Sequence, residues 1–325
     1  MKTILVSGAS GIVGYGTLRS LKISGLDLRM IGTSMYDDSV AQGFCDVFLQ
    51  APPTNNPRYM EWLLDTITQY RVEMIIPCIE VDMYKWVEHL PEIRERGAMV
   101  LMNNVPLIQL CKDKWAFFKN LSSAGLECAI DSSLDSKFDV LHSRYGLPFL
   151  LKPRQGFGSK GIVRVDGEAN FLQHKQKMGT LLMAQPIVGE EDEEYTTSAF
   201  CDGEGGFFAS MTLRRKLSKD GFTEKAEVVE TDMFLDTMHG LCRHFRPHGP
   251  TNFQFRKCTE GIKLLEINPR ISSSTSIRTA FGYNESAMAV EYFFDNKLPI
   301  QPRIRRGKAV RYVEDFIFYE NSLYL

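Results

Sequence analysis

The stretch "GPTNFQFRKCTEGIKLLEINPR", residues 249–270, constrains the fold most, because two alternating runs flank a turn at Glu260. Successive side chains of a β-strand point to opposite faces, so this pattern predicts an antiparallel hairpin with one apolar and one polar face. Pairing about Glu260 predicts these cross-strand partners: Asn252 with Asn268, Gln254 with Glu266, and Arg256 with Leu264. The apolar face is expected to carry Phe253, Phe255, Leu265 and Ile267.

The polar face of this hairpin has the chemistry of a cation site. Gln254, Glu266 and Asn268 share it, with opposed Cβ atoms about 4.5 to 5.5 Å apart. Such oxygen ligands suit Mg²⁺ and leave room for phosphate oxygens. Arg270 follows at once, and a guanidinium binds a phosphoryl group in bidentate fashion. An ordinary hairpin with one solvated face is the alternative, but it does not explain why that face lacks Lys and Thr.

A second stretch, "LLKPRQGFGSKGIVRV", holds a glycine-rich loop at Gly156–Gly161 between two predicted strands. The loop neither follows the Walker A spacing nor opens a helix. A loop of this kind can fold over the phosphates of a nucleotide and can move as a lid. Lys152, on the strand before it, would reach those phosphates as a point charge. The alternative is a common glycine-rich hairpin with an exposed lysine.

A third stretch, "MAQPIVGEEDEEYTTSAF", runs from an apolar strand into five acidic residues, Glu190 to Glu194. Acidic runs are typical of solvated turns. Glu194 differs from the others because it begins the next predicted strand, and we expect its side chain to be held inward.

The first hundred residues alternate apolar strands with amphipathic helices, which predicts a parallel sheet covered on both faces. Gly8, Gly11 and Gly14 follow the first strand, as in a phosphate-binding turn. A dinucleotide site needs an acidic residue about 20 residues after Gly14 to hold the ribose, but Ser34 stands there, and Asp37 and Asp38 follow three and four residues further on. We therefore favour glycines that shape a tight turn, with an NAD(P)-dependent reductase as an alternative. Predicted strands are 3–7, 28–33, 74–77 and 99–102, and predicted helices are 12–24 and 56–70.

The rest of the chain predicts an α+β fold, so the overall class is α/β followed by α+β. One helix is predicted over 107–124. Strand-like runs follow at 149–152, 162–165, 181–185, 195–201, 207–213, 227–230, 251–257 and 262–268.

Charge and cysteine usage exclude several classes of protein. The formal net charge of -2 offers no attraction to nucleic acid or to an anionic membrane. The seven cysteines are scattered without a C-x-x-C pair, which indicates free thiols in a reducing compartment and argues against a zinc site. We find no signal peptide and no run of 18 apolar residues, so we expect a cytoplasmic protein.

Taken together, these stretches resemble the ATP-grasp superfamily, and within it the large subunit of carbamoyl-phosphate synthetase. The resemblance covers nearly the whole chain. It rests on the order in which these motifs follow one another along the chain: the glycine turn, Asp113-Lys114, Lys152-Pro153 with its loop, the segment 185–194, N-x-Q-F and E-I-N-P-R. It implies a pre-ATP-grasp domain at 1–104, a small lobe with a glycine-rich lid at 105–185, and a C-terminal lobe with the metal site at 186–325. A true synthetase joins two such halves, whereas this chain is expected to be a single stand-alone unit.

The resemblance also implies roles for individual residues. Arg270 and Lys152 would contact the transferred phosphate, and Gln254, Glu266 and Asn268 would bind Mg²⁺, or Mn²⁺ in its place. The backbone of Ile187 would bind the adenine edge, and Glu194 would hold the ribose. The full set of implied ATP contacts is Lys114, Lys152, Gly156, Gly158, Ser159, Gly161, Gln185, Ile187 and Glu194. Gln185 stands where the family commonly has a glutamate, but its amide oxygen can still accept a hydrogen bond from the adenine amino group.

The chemistry implied by the family is ATP-dependent joining of a carboxylate and an amine. The carboxylate attacks the γ-phosphate, and the amine then displaces phosphate from the acyl phosphate; positioning and charge neutralisation supply most of the catalysis. The expected substrates are small molecules or cell-envelope precursors. Arg214, Lys216, Lys225 and Glu80 are candidate substrate contacts, although exposed cations on a hairpin are the alternative for the first three. A non-catalytic nucleotide-binding module is the alternative function, and family members are often homodimers.

Overall fold

The computed structural model describes residues 1–156, 160–218, 221–319 and 322–324. The N-terminal region is a parallel sheet in the order β3-β2-β1-β4-β5, so the predicted parallel sheet is confirmed. Its strands are β1 (Lys2–Val6), β2 (Leu28–Ser34), β3 (Val47–Gln50), β4 (Met74–Ile76) and β5 (Met99–Val100). Its helices are α1 (Ile12–Lys22), α2 (Tyr59–Tyr70), α3 (Glu80–Glu88) and α4 (Leu90–Glu95).

Both faces of this sheet are covered, which explains why its central strand β1 is apolar at each position from Ile4 to Val6. Ile4 and Val6 pack into one apolar cluster, and Leu5 packs into a second cluster with Ile31. Neighbouring residues of a strand point to opposite faces, so a strand buried on both sides needs apolar residues at every position.

The single helix predicted over 107–124 is wrong, because the chain forms two helices. These are α5 (Val105–Cys111) and α6 (Lys114–Ser123). Asp113 separates them: its carboxylate accepts hydrogen bonds from the backbone N–H groups of Trp115 at 2.9 Å and Ala116 at 3.3 Å. An N-cap of this kind starts a new helix and fixes its first residue, here Lys114.

A small antiparallel sheet follows, in the order β7-β6-β8. Its strands are β6 (Phe149–Pro153), β7 (Val163–Val165) and β8 (Leu182–Pro186), and its helices are α7 (Phe138–Tyr145) and α8 (Glu168–Leu172). Phe149, Leu151 and Ala184 pack with Phe171 in a cluster of their own. The opposite face carries Leu150 and Lys152 toward the site, and Met183 on that face packs into the core of the large sheet.

The largest sheet is antiparallel, in the order β13-β12-β9-β10-β11-β14. Its strands are β9 (Glu194–Asp202), β10 (Phe207–Leu217), β11 (Thr223–Val229), β12 (His248–Cys258), β13 (Gly261–Asn268) and β14 (Lys308–Val310). The remaining elements are α9 (Leu235–Phe245), α10 (Thr275–Ala280), α11 (Glu285–Asp295), β15 (Ile317–Tyr319) and β16 (Ser322–Tyr324).

The helices α5 and α6 pack against this sheet. Leu107, Phe117, Phe118 and Leu121 belong to the same apolar cluster as Phe253 and other residues of the large sheet. The domain boundaries at 104/105 and 185/186 stay predictions. Among the described residues, no helix is both long enough and apolar enough to cross a bilayer.

Candidate active site

The hairpin of β12 and β13 carries the predicted polar face with one change of register. Asn252 pairs with Asn268 and Gln254 with Glu266, as predicted. The predicted pairing of Arg256 with Leu264 is wrong. A β-bulge after Gln254 pairs Phe255 with Leu264 and Arg256 with Lys263 instead.

The bulge moves one side chain between faces, because an extra residue inverts the alternation along a strand. Phe253, Phe255 and Ile267 are buried in the core, as expected for the apolar face. Leu264 joins them there. Leu265, predicted for that face, is half-buried: it packs against the same cluster and also lines the cleft beside Glu266.

Two connected clefts meet at Glu266: the first lies between the small sheet and the large one, and the second lies between β13 and the helices α3, α5 and α6. We call the first the lysine cleft; its lining includes Lys114, Lys152, Gly156, Lys160, Pro186, Glu194, Gln254 and Glu266. We call the second the arginine cleft; its lining includes Glu80, Lys114, Gly156, Glu266, Asn268 and Arg270. Lys114, Gly156 and Glu266 line both clefts, so the two form one continuous site.

Two residues of the predicted ATP-binding set, Gly158 and Ser159, lie outside the described residues. Gly161 has a φ of +76°, a left-handed conformation that favours glycine. Ile187 is flanked by Pro186 and Val188, which line the lysine cleft.

The two predicted phosphate-binding lysines reach the site from different elements. Lys114 begins α6, and its ammonium group donates to the backbone carbonyl of Gly156 at the start of the glycine-rich loop. Lys152 lies on β6. Burial lowers its pKa to about 8, helped by the positive charge of Arg256 and opposed by the carboxylate of Glu266. Lys152 is therefore mainly charged at neutral pH and loses its charge under mildly basic conditions.

Gln185 offers an unused acceptor on the small sheet. It pairs directly with Leu150, so both side chains lie on the face that carries Lys152 toward the cleft. Its amide nitrogen donates to Ser132 Oγ at 2.8 Å, whereas its buried Oε1 has no hydrogen-bond partner among the described residues. A buried acceptor without a partner is costly, so this atom is suited to a ligand that brings an N–H donor, such as adenine.

Two arginines that sequence reasoning missed hold the carboxylate of Glu194. Arg215 contacts one carboxylate oxygen at 2.9 Å, and Arg256 contacts the other at 2.6 Å. Glu194 and Arg215 are both buried, as expected for an inward-facing glutamate. Strand alternation along β10 holds the signal for Arg215, because it shares a face with buried Leu213 while Arg214 and Lys216 point the other way.

The predicted metal ligands lie in or beside the clefts with donor atoms that fit Mg²⁺. The amide oxygen of Gln254 accepts from Arg215 at 2.8 Å, and that of Asn268 accepts from Arg270 at 3.2 Å. Each amide oxygen has a second lone pair available for a cation. In the described part of the chain, no ion pair neutralises the Glu266 carboxylate. One carboxylate and two amide oxygens beside two lysines are compatible with a magnesium-phosphate group.

Arg270 is joined to the N-terminal region, at the start of α3, by an ion pair with Glu80. Glu80 opens α3, directly after the loop that follows β4. Burial alone would raise the pKa of Glu80, but the guanidinium of Arg270 overcomes this and holds that pKa below its usual range. Burial likewise opposes the charge of Arg270, and the negative charge of Glu80 raises the pKa of Arg270 despite it.

Comparison with known proteins extends these observations. The sequence profile of a family described as "ATP-grasp in the biosynthetic pathway with Ter operon" matches residues 182–316. The N5-carboxyaminoimidazole synthetase of Staphylococcus aureus, solved in complex with ADP, superposes with a TM-score of 0.72 at 17% identity, covering 93% of this chain and 80% of that one. The chain has the ATP-grasp fold. A biotin carboxylase domain dimer of the Hydrogenobacter thermophilus 2-oxoglutarate carboxylase, in complex with MgADP, gives a TM-score of 0.71 at 15% identity, covering 94% and 73%.

Comparison of the sequence with curated proteins confirms the predicted resemblance to the large subunit of carbamoyl-phosphate synthetase. The carbamoyl phosphate synthase large chain of Thermotoga neapolitana is 21% identical over 98% of this chain and 32% of that protein. The chain thus spans about a third of the length of the curated relatives that it matches.

The four candidate substrate residues do not share one location. Glu80 contacts Arg270, whereas Arg214, Lys216 and Lys225 line a depression on β10, β11 and β14. This depression adjoins the lysine cleft, because Glu194, Leu217 and Arg256 line both. Arg214 is paired with Glu227 at 2.9 Å. Lys216 and Lys225 oppose each other across the two strands, and both are exposed. Of the four, only Glu80 lines the arginine cleft.

The glycines Gly8 and Gly14 near the N-terminus are tightly packed. Gly8 has a φ of +58°, and a Cβ atom there would lie 2.6 Å from Cγ2 of Ile79. A Cβ on Gly14 would lie 2.4 Å from the carbonyl oxygen of Gly8. Both distances are too short for a side chain, so a tight turn and close helix packing are sufficient reasons for these two glycines.

Proposed function

We propose that this chain is an ATP-dependent ligase that joins a carboxylate to an amine through an acyl phosphate. The observation that carries the proposal is the convergence of Lys114, Lys152, Glu266 and Arg270 on one continuous site. These residues come from segments far apart in the sequence. Their charges are arranged as a site for phosphate requires, with cations around one carboxylate.

Each part of the site has a task in the proposed reaction. Lys114 and Lys152 would neutralise the phosphates of ATP, and Oε1 of Gln185 would accept from the adenine amino group. Gln254, Glu266 and Asn268 would hold Mg²⁺, or Mn²⁺ in its place, and the cation would supply charge neutralisation at the phosphates. The solved neighbours in complex with ADP and with MgADP support this assignment.

The reaction needs no nucleophilic side chain. An oxygen of the substrate carboxylate forms a bond to the γ-phosphorus while the bond to the β–γ bridging oxygen breaks, which releases ADP. The amine then attacks the acyl carbon, inorganic phosphate leaves, and the amine loses a proton to solvent. Arg270 would bind the phosphoryl group during transfer, since a guanidinium offers paired donors to phosphate oxygens.

We propose small-molecule or cell-envelope precursors as substrates and a cytoplasmic location, which the seven free cysteines support. A homodimer is also part of the proposal, and the dimeric biotin carboxylase domain supports it.

Calorimetry with MgATP, MgADP, NADH and NADPH tests the site directly. We expect magnesium-dependent ATP binding in the wild type and at least tenfold weaker binding in Glu266→Ala. Glu260→Ala is the matched control, because Glu260 lies in the exposed turn of the same hairpin. Nicotinamide binding together with indifference to ATP would overturn the proposal in favour of a reductase.

Turnover separates a ligase from a nucleotide-binding module. ADP release is measured with a panel of carboxylates and amines, in the wild type and in Glu266→Gln. A ligase should lose at least a hundredfold in turnover in this variant, since the substitution removes the one carboxylate of the metal set. If ATP binds but no pair of substrates ever yields ADP, the chain is a binding module.

A further inference from the structure

A cavity of about 780 Å³ lies at the carboxyl ends of β1, β2 and β3; its lining includes Gly8 and Gly11 but none of the residues assigned above to ATP or Mg²⁺. We call it the N-terminal cavity; its lining includes Ser10, Ser34, Met35, Tyr36, Thr54 and Asp82. In open parallel sheets, ligands bind in the crevice outside the carboxyl ends of the strands. The volume is within the range of small-molecule pockets, which is about 300 to 1,000 Å³.

The polar groups of the cavity do not fit a dinucleotide. Ser10 Oγ and Ser34 Oγ are 2.5 Å apart, so the loop after β1 is tied to the end of β2. A dinucleotide site needs a carboxylate at the end of that strand to hold the ribose, and Ser34 occupies the position.

The charged groups that line the cavity have partners within the protein. The Asp82 carboxylate accepts from the hydroxyls of Thr54 at 2.5 Å and Tyr59 at 2.9 Å. Lys85 lies 3.9 Å from Glu88, and Lys112 lies 5.2 Å from the centre of the Tyr84 ring. Two cations and two anions cancel, so the cavity does not attract a polyanion.

The wall of the cavity is apolar and open to solvent. Met35 is 48% exposed, Tyr36 58% and Val81 46%, and all three line the same cavity. Large apolar side chains that are exposed together at the mouth of a pocket indicate a binding site, whereas single exposed apolar residues do not. The matching ligand group is an aromatic ring or a branched aliphatic chain without charge.

The cavity is continuous with the arginine cleft. Tyr84 and Lys112 line both, and Tyr84 lies one turn after Glu80 on α3. A ligand whose reacting group lies at Arg270 can therefore extend past Tyr84 into the cavity. Lys112 lies where the cavity meets the arginine cleft, and Arg270, paired with Glu80, lies beyond it, so two cations flank the place where a carboxylate would react.

We propose that the N-terminal cavity holds the uncharged end of the carboxylate substrate, an acid that bears an aromatic ring or a branched aliphatic group. This inference rests on the proposed ligase function and narrows its substrate class. The reacting carboxylate lies at Arg270, and the bulky group packs against Met35 and Tyr36.

The test uses 3-(2-naphthyl)propanoate as the probe and propanoate as the comparison acid, titrated by calorimetry into the full chain. Met35→Trp narrows the cavity, and Tyr36→Ala removes an aromatic wall. Ile23→Trp is the matched control, because Ile23 is 70% exposed just beyond the end of α1 and lies outside the cavity. MgATP binding is measured in every variant.

We expect the wild type to bind the naphthyl acid at least tenfold more tightly than propanoate. Met35→Trp should weaken the naphthyl acid at least tenfold and Tyr36→Ala severalfold, with Ile23→Trp and all MgATP affinities unchanged. Equal affinity for the two acids, or no effect of either cavity variant, overturns the inference while the proposed function stands. Preferential binding of 2-naphthylmethylamine, lost in Met35→Trp, overturns the assignment to the acid. Failure of the wild type to bind MgATP overturns the proposed function instead.

Discussion

Lys152 is the residue whose charge state is most sensitive to its position in the fold. Its pKa of about 8 lies below the value of about 10.4 for an unfolded chain. Between these two values the unfolded chain binds more protons than the folded one. The free energy of unfolding therefore rises with pH in that range on account of this group.

Lys152→Met removes this dependence. Relative to the variant, we expect the free energy of unfolding of the wild type to rise by about 2 to 3 kcal/mol between pH 7.5 and 10.5. Urea denaturation at several pH values measures the difference. Lys257→Met, at an exposed position on β12, should run parallel to the wild type. If the free energy of unfolding of Lys152→Met also ran parallel to that of the wild type over this pH range, the pKa of Lys152 would not be lowered by burial.

The ion pair of Glu80 and Arg270 joins two parts of the chain 190 residues apart. Glu80→Gln leaves the guanidinium buried without its counter-charge, and we expect a loss of about 3 kcal/mol in the free energy of unfolding at pH 7. The loss should shrink as the pH falls below about 4.3, because the pKa of folded Glu80 is depressed and its stabilisation disappears on protonation.

Chemical denaturation at pH 7 and pH 3.5 checks this expectation. Glu88→Gln is the control, since Glu88 is exposed and lies 3.9 Å from Lys85 in a surface pair worth little. The double variant Glu80→Gln, Arg270→Gln should recover part of the loss. A loss in Glu80→Gln that does not depend on pH would contradict the ionic origin.

Among the elements, α6 depends on a single capping residue for its first turn. Asp113 caps the helix and forms an ion pair with Arg154 of the segment after β6. Asp113→Ala should cost about 1 to 2 kcal/mol of stability, and it should weaken MgATP binding because Lys114 is the next residue. Asp113→Asn keeps the cap without the charge, so its stability and its affinity for MgATP should lie between those of the wild type and of Asp113→Ala. Thermal unfolding and calorimetry provide both readouts; equal values for the two variants would contradict a capping role.

The first turn of α1 packs against the loop after β1 and tolerates little added volume at Gly14. Gly14→Ala would bring a Cβ to 2.4 Å from the backbone of Gly8, whereas Gly16→Ala would bring one to 3.2 Å from the methyl group of Thr275. We expect Gly14→Ala to lose at least about 2 kcal/mol and Gly16→Ala to stay within about 1 kcal/mol, since alanine also favours the helix. Urea denaturation distinguishes them. Similar losses of stability in both variants would show that the close approach of Gly14 to Gly8 does not determine the cost of an added side chain.

At the scale of the whole molecule, the small sheet has an apolar cluster separate from that of the large sheet. The lysine cleft lies between the two sheets. A ligand that contacts both should hold them together, and at 100 times its Kd it stabilises the folded state by about 2.7 kcal/mol. We expect MgATP to increase amide hydrogen-exchange protection in β6 and β8 and to leave β1 and β2 unchanged. Uniform protection across all sheets would contradict a nucleotide site between these two.

The sequence by itself determined those features that depend on local periodicity. Strand alternation predicted the hairpin of β12 and β13 with Gln254 opposite Glu266, and the alternation of strands and helices predicted the N-terminal parallel sheet. The ordered set of motifs predicted the ATP-grasp fold. These signals are readable because the side chains involved are neighbours along one strand, one helix or one turn.

Only the tertiary structure decided the features that depend on a single-residue register or on contacts between distant segments. The bulge after Gln254 moved Leu265 into the cleft, and the two arginines that hold Glu194 come from neighbouring strands. The contact of Glu80 with Arg270 arises because the end of β4 meets the end of β13 in space. No local pattern encodes such a contact, since its free energy comes from burying opposite charges together and depends on where the rest of the chain folds.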